Sequence, residues 1–159
     1  MPAVAHTTGA DPLWFIGGLV YVHLDGEQTG GAFTLAERRA RHGDMPPLHL
    51  HHRDDETFHV LDGEITVYAG EQTIAVTAGE TALAPRGVPH TYRVESETAR
   101  WFLILSPAGF ERFLRAASEP ADGHRMPPEG QTTDPAVLAE LAAEQGIEIL
   151  GAPGTLPGG

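Results

Sequence analysis

The chain has 159 residues, 41% of them apolar, enough for one domain with a substantial core. Twenty-two acidic against ten basic residues give a net charge of -12, which repels nucleic-acid phosphates and anionic membrane surfaces. Every basic residue is Arg and Cys is absent, which excludes Lys Schiff bases, a P-loop, disulfides, thiolate metal sites and Cys nucleophiles.

Residues Met1 to Pro12 carry neither a basic patch nor an apolar stretch, so they read as a flexible arm rather than a signal peptide. No apolar run approaches the ~18 residues of a membrane span, and a cytoplasmic protein is the default expectation. Trp14 to Leu24 is apolar and β-rich, is broken at Gly17-Gly18, and ends at the turn-like Asp25-Gly26-Glu27. A second strand is expected from about Gly31 to Arg39, and Arg38, Arg39 and Arg41 read as a solvated strand edge. Gly43 to Pro47 forms a loop into a strand bearing His49 and His51. Phe58 to Leu61 and Ile65 to Tyr68 flank Asp62-Gly63, a hairpin signal, and Gly70-Glu71 marks a further turn. Thr73 to Thr77, Thr81 to Ala84, Thr91 to Val94 and Trp101 to Leu105 complete a series of short strands at regular turn spacing. Such a series predicts an all-β barrel or jelly roll over residues 13–106, with no internal repeat.

Beyond Ser106-Pro107 the period becomes helical. Phe110, Phe113, Leu114 and Ala117 share one face of a helix that Glu119-Pro120 ends, and this helix is expected on the outside of the barrel. A Pro/Gly-rich connector leads to a second helix, with Asp134 as N-cap, Pro135 at the first helical position, and Val137, Leu138 and Leu141 as its apolar face. Residues 107–150 thus form a helical extension, in which Ile147 to Leu150 is an edge strand or a clamp on a partner subunit, and 151–159 a flexible tail.

The chemistry concentrates between Gly43 and Val94. The first block reads Gly43, five residues, His49-Leu50-His51, four residues, Glu56, six residues, Gly63. The second reads Gly79, five residues, Pro85, one residue, Gly87, two residues, His90. Strand alternation points His49 and His51 the same way and Leu50 the other. Arg53-Asp54-Asp55 is polar enough for a tight turn, with both aspartates as turn residues, after which Glu56 opens the next strand toward the same interior. Three imidazoles and one carboxylate suit one divalent first-row ion, Ni, Mn, Fe, Co, Cu or Zn, rather than Ca or Mg. His52 and His59 fall on opposite faces, and His23 and His42 have no partner at ligand spacing. Phe33, Phe58, Tyr92 and Trp101 are candidates to line an apolar substrate pocket; Phe58 and Tyr92 share the faces of Glu56 and His90.

These two blocks follow the motifs of the cupin superfamily at every position but one, Val94, where the family usually has Asn, a residue that is not a metal ligand there. The fifteen residues from Glu64 to Ala78 separate the motifs, which in cupins means a tight hairpin without an inserted subdomain. With its C-terminal helices the chain resembles the small one-domain quercetin 2,3-dioxygenase-like cupins of bacteria, and its Arg-rich composition without Lys or Asn fits a GC-rich genome. The resemblance implies a cupin β-barrel (double-stranded β-helix, jelly roll) with one or two C-terminal helices. It also implies a homodimer in which an exposed Trp14 to Val22 edge meets its partner. The implied chemistry is a metal-dependent dioxygenase acting on a small molecule. A flavonol hydroxyl loses its proton to Glu56, which serves as both ligand and base, and O2 then opens the heterocycle with release of carbon monoxide. A non-oxidative isomerase, lyase or polyketide cyclase uses the same ligands. A non-enzymatic ligand-binding cupin is the third reading, although residues 107–159 are acidic and lack a helix-turn-helix pattern.

Overall fold

The computed structural model describes residues 4–159, so Met1 to Ala3 of the expected arm lie outside the described residues. In chain order the elements are β1 (Leu13–Phe15), β2 (Gly18–Leu24), β3 (Thr34–Arg41), β4 (Pro47–His51), β5 (Asp55–Asp62), β6 (Glu64–Ala69) and β7 (Gln72–Thr77). They continue as β8 (Thr81–Ala84), β9 (His90–Val94), β10 (Thr98–Ser106), helix α1 (Phe110–Ala117), β11 (Glu119–Pro120), helix α2 (Pro135–Glu144) and β12 (Ile147–Pro153). Two antiparallel sheets result. One runs β11-β1-β2-β3-β10-β5-β8, and the other β12-β4-β9-β6-β7. This is the expected cupin jelly roll.

The period-2 pattern builds the core. Phe58 and Val60 of β5, and Trp101, Leu103 and Leu105 of β10, point inward from the first sheet; Ile65 and Val67 of β6 and Val94 of β9 meet them from the second. Trp101 is completely buried, its ring edge-on to Tyr92 at 5.0 Å, so it is a core residue and not the pocket-lining one expected. Val94 ties the second motif to the first through its backbone: its N–H donates to Asp44 O (3.0 Å) and its carbonyl accepts from Gly43 N (2.9 Å). The main chain thus makes this link without the family's Asn.

Three expectations need correction. Asp62-Gly63 is a corner rather than a hairpin, because β5 pairs with β10 and β8 while β6 pairs with β9 and β7 in the opposite sheet. Gly63 turns the corner at φ 81°, and a Cβ there would lie 2.5 Å from Ser96 Oγ and Thr98 O. The Trp14 to Val22 segment is not a bare edge: β2 lies between β1 and β3, and β11 pairs with Leu13 and Trp14 of β1. Finally, β12 pairs with β4 and runs to Pro153, so Ile147 to Leu150 is an edge strand and 151–153, assigned to the tail, continue it.

The helices also differ from expectation. Rather than packing only on the barrel's outside, α1 turns its apolar face to the cavity beside the histidines, with the Phe110 ring 5.4 Å from that of His51. Glu111 anchors it: the buried carboxylate accepts from Gly109 N (2.8 Å), Gly26 N (3.1 Å) and the Thr34 hydroxyl. In α2 the Asp134 carboxylate caps Ala136 N (2.9 Å) and Val137 N (3.2 Å) as expected. Its buried residues are Leu138 and Ala142, however, and Val137 is exposed.

Burial raises the Glu111 pKa, but the Thr34, Gly26 and Gly109 hydrogen bonds outweigh it and hold the group below its ordinary 4.5. Its stabilising effect is therefore complete above pH 4.5 and is lost as pH falls through the lower folded value. Urea midpoints measured on both sides of that pH should show the wild type losing more stability on acidification than Glu111→Gln. Equal losses would remove Glu111 as the source.

Candidate metal centre

The two sheets share the candidate site. His49 and His51 come from β4 and His90 from β9, where His49 and His90 are direct cross-strand partners. Glu56 comes from β5 in the facing sheet, on the inward face that it shares with Phe58 and Val60. Each of the four offers one ligand atom, and these atoms all lie within 4.8 Å of one another. Glu56 Oε2 is 2.8 Å from His90 Nε2, 3.1 Å from His51 Nε2 and 3.9 Å from His49 Nε2. His51, His90 and Glu56 are buried, while His49 is partly open to the cavity.

The outer ring nitrogens fix the tautomers. His49 Nδ1 lies 2.7 Å from Pro47 O, His90 Nδ1 2.9 Å from Val88 O, and His51 Nδ1 3.2 Å from Asp54 Oδ1. Each partner is an acceptor, so each Nδ1 is placed to donate and each ring turns its Nε2 inward, toward the position an ion would take. The centre also contains an orphan: His51 Nε2 is buried without a hydrogen-bond partner, because its approach to Glu56 lacks hydrogen-bond geometry. A buried polar atom left so is costly, and a cation among three Nε2 atoms and a carboxylate removes that cost. On this observation the residues fit a single divalent ion.

Electrostatics agree. Burial works to raise the Glu56 pKa, but His51 above all, then His49 and His90, outweigh it and hold the carboxylate well below its ordinary range, hence ionised at neutral pH. Burial pushes His49 down. It pushes His51 down as well, yet the Glu56 and Asp54 carboxylates prevail and raise that imidazole to about 10.

Asp54 is the residue that sequence reading passed over as a plain turn aspartate. It is buried, and it orients His51. The readable signal was an Asp three residues past a ligand His. Replacing such an orienting group typically costs 10- to 100-fold in metal affinity, and Asp54→Ala should lose about that much when titrated against a competing chelator. An unchanged affinity would make the contact incidental.

A small cavity of about 50 Å³ opens from His49 and Glu56, walled by Phe110 and Phe113 of α1, Tyr92, Leu103 and Arg38. Among the proposed lining aromatics only Tyr92 reaches it. Phe58 lies behind His90 in the core, with ring centres 6.3 Å apart, and Phe33 precedes β3 away from this cavity. Arg38 is the second surprise: far from a solvated edge, it is 1% exposed and lines the cavity. Its Nη1 donates to Phe15 O (2.5 Å), its Nη2 to Ile16 O (3.1 Å) and Asp44 (3.4 Å), and its Nε to the Tyr92 hydroxyl (3.4 Å). Burial opposes its charge, but Tyr92 and Asp44 more than offset this. Burial and then Asp44 raise the Tyr92 pKa, so it stays a neutral hydroxyl that donates to Asp44 Oδ2 at 3.1 Å. His52 and His59 point outward, as expected, to Glu148 and Thr81.

A jelly roll holding three histidines and a glutamate between its sheets defines a cupin-type barrel with a candidate metal-ligand set at its centre. Residues 38–105 of the chain match the cupin domain family. It is 31% identical over 66% of its length to a quercetin 2,3-dioxygenase of Bacillus subtilis, of which it covers 31%. To a quercetin 2,3-dioxygenase of Aspergillus japonicus it is 28% identical over 56% of its length, covering 27% of that protein. The chain thus spans less than a third of either relative's length. Among solved structures, an RmlC-like cupin from Shewanella frigidimarina superposes with a TM-score of 0.57 at 18% identity, over 70% of this chain and 98% of that one. No helix among the described residues is long and apolar enough to cross a membrane.

Proposed function

We propose that this chain is a metal-dependent dioxygenase acting on a flavonol-like or other enolisable aromatic compound, with His49, His51, Glu56 and His90 as ligands. The carrying observation is Glu56: one ionised carboxylate oxygen faces three Nε2 atoms and also borders the cavity. When bound, a divalent ion would supply Lewis acidity toward an enol oxygen and an open position for a small molecule.

The remaining steps belong to the protein. Glu56, held ionised by its histidine neighbours and bordering the cavity, accepts the enol proton on its carboxylate. The Nδ1 hydrogen bonds to Pro47, Val88 and Asp54 stop the imidazoles from turning as charge moves. Phe110 and Phe113 exclude water from above. The two relatives named quercetin 2,3-dioxygenase support this substrate class.

The test is O2 consumption with quercetin by protein reconstituted separately with Ni, Mn, Fe, Co, Cu and Zn. Uptake that requires one of these ions supports the proposal. Confirmed metal binding without uptake on any ion would overturn it in favour of a non-oxidative isomerase or cyclase.

A further inference from the structure

The metal cavity does not end at its own walls. A second, larger space of about 530 Å³ lies beside it, bounded by Met45, Pro135, Thr133 and Leu150. Ile16, Pro46, Pro47, Leu138 and Ile149 line both. The two differ in chemistry. The inner one presents His49, Glu56 and Arg38, whereas no charged side chain lines the outer groove. They also differ in capacity: an apolar cavity of roughly 150 Å³ holds benzene, and the inner space of about 50 Å³ is a third of that. An aromatic body held at Glu56 therefore has to extend past the shared residues into the outer groove.

Ile16 is the wall residue set apart by its backbone. It sits in the β1–β2 turn at φ 34°, a left-handed conformation that β-branched residues rarely adopt and that persists only where surroundings impose it. The surroundings are visible. Arg38 holds the Phe15 and Ile16 carbonyls from the cavity side. From the groove side, Gln131 Oε1 accepts from Gly17 N (3.0 Å), and Gln131 Nε2 donates to Glu119 (2.9 Å). Gly18 allows the arginine its approach, since a Cβ there would stand 2.8 Å from Arg38 Nη1.

We propose that Ile16 is a specificity-determining gate: a ligand with a metal-seeking enol head and a flat, uncharged body enters by the outer groove, displaces the Ile16 side chain, and lies through both spaces. This rests on the metal-site reading above and adds the shape of ligand the site selects. The clamped turn keeps the backbone fixed, so it is the side chain that yields.

The test uses cobalt-loaded protein under nitrogen, read by the cobalt absorption bands during stopped-flow mixing, with no turnover involved. Two probes are compared: acetohydroxamate, a chelating head alone, and 3-hydroxyflavone, a head with a two-ring body. In Ile16→Ala and in Ile16→Asn, which better tolerates the left-handed turn, 3-hydroxyflavone should associate about tenfold faster or more, while acetohydroxamate changes by less than about threefold. Equal changes for both probes, or none for 3-hydroxyflavone, would overturn the gate and leave the metal site standing. Failure of both probes to perturb a protein that demonstrably carries its cobalt would overturn the site reading, and the gate with it.

Discussion

Replacing Glu56 by Gln is expected to lower kcat by about 100-fold or more at saturating metal while leaving the urea unfolding midpoint nearly unchanged. A general base typically contributes 10²- to 10⁴-fold, and Gln keeps the shape of Glu but neither its charge nor its ability to take a proton. The position is buried between the sheets, so an isosteric residue leaves the packing of Phe58 and Leu105 around it intact. Metal content must be measured alongside, because Glu56 is also a proposed ligand. A variant with full metal occupancy and wild-type kcat would end its role as base.

His51→Ala should have the largest effect on metal content, bringing it close to zero after desalting. The change removes a fully buried nitrogen that has no other partner and strands Asp54, whose buried carboxylate then loses its donor. Leaving a buried acceptor unsatisfied costs about 1–3 kcal/mol, so a lower unfolding midpoint should accompany the metal loss. Unaltered metal-to-protein ratios would sink the ligand set. Asp54→Ala, which keeps the ligand and loses only its orienting partner, should fall between this variant and the wild type.

The ligand spacing was legible because it is local. Alternation along β4, one tight turn into β5 and the Gly79 to His90 block place four side chains with little reference to the rest of the chain. What escaped depended on pairing between distant segments. Nothing local distinguishes a hairpin at Asp62-Gly63 from a corner between sheets; the strands that flank β5 and β6 decide it. The amphipathic spacing of α1 shows which side is apolar but not that the cavity beside the histidines is what it walls. Arg38 is instructive in a different way. The alternation used for the histidines, applied to β3, puts Arg38 on the inward face with Ala36 and Ala40, so its burial had a readable signal that the clustering of arginines obscured.

The pairing of β12 with β4 carries a mechanical consequence. Ile147 stands opposite His51 and Ile149 opposite His49, whereas on its other side β4 meets β9 at a single residue pair, His49 with His90. The strand that walls the outer groove is thus also the main splint of the strand that presents two of the proposed ligands. A body arriving in the groove leans on the same hydrogen-bond ladder that sets the pitch of the imidazoles. Amide exchange along Leu48 to His51 should therefore slow when the groove fills, and a chain cut after Gly146 should lose metal even though every ligand remains.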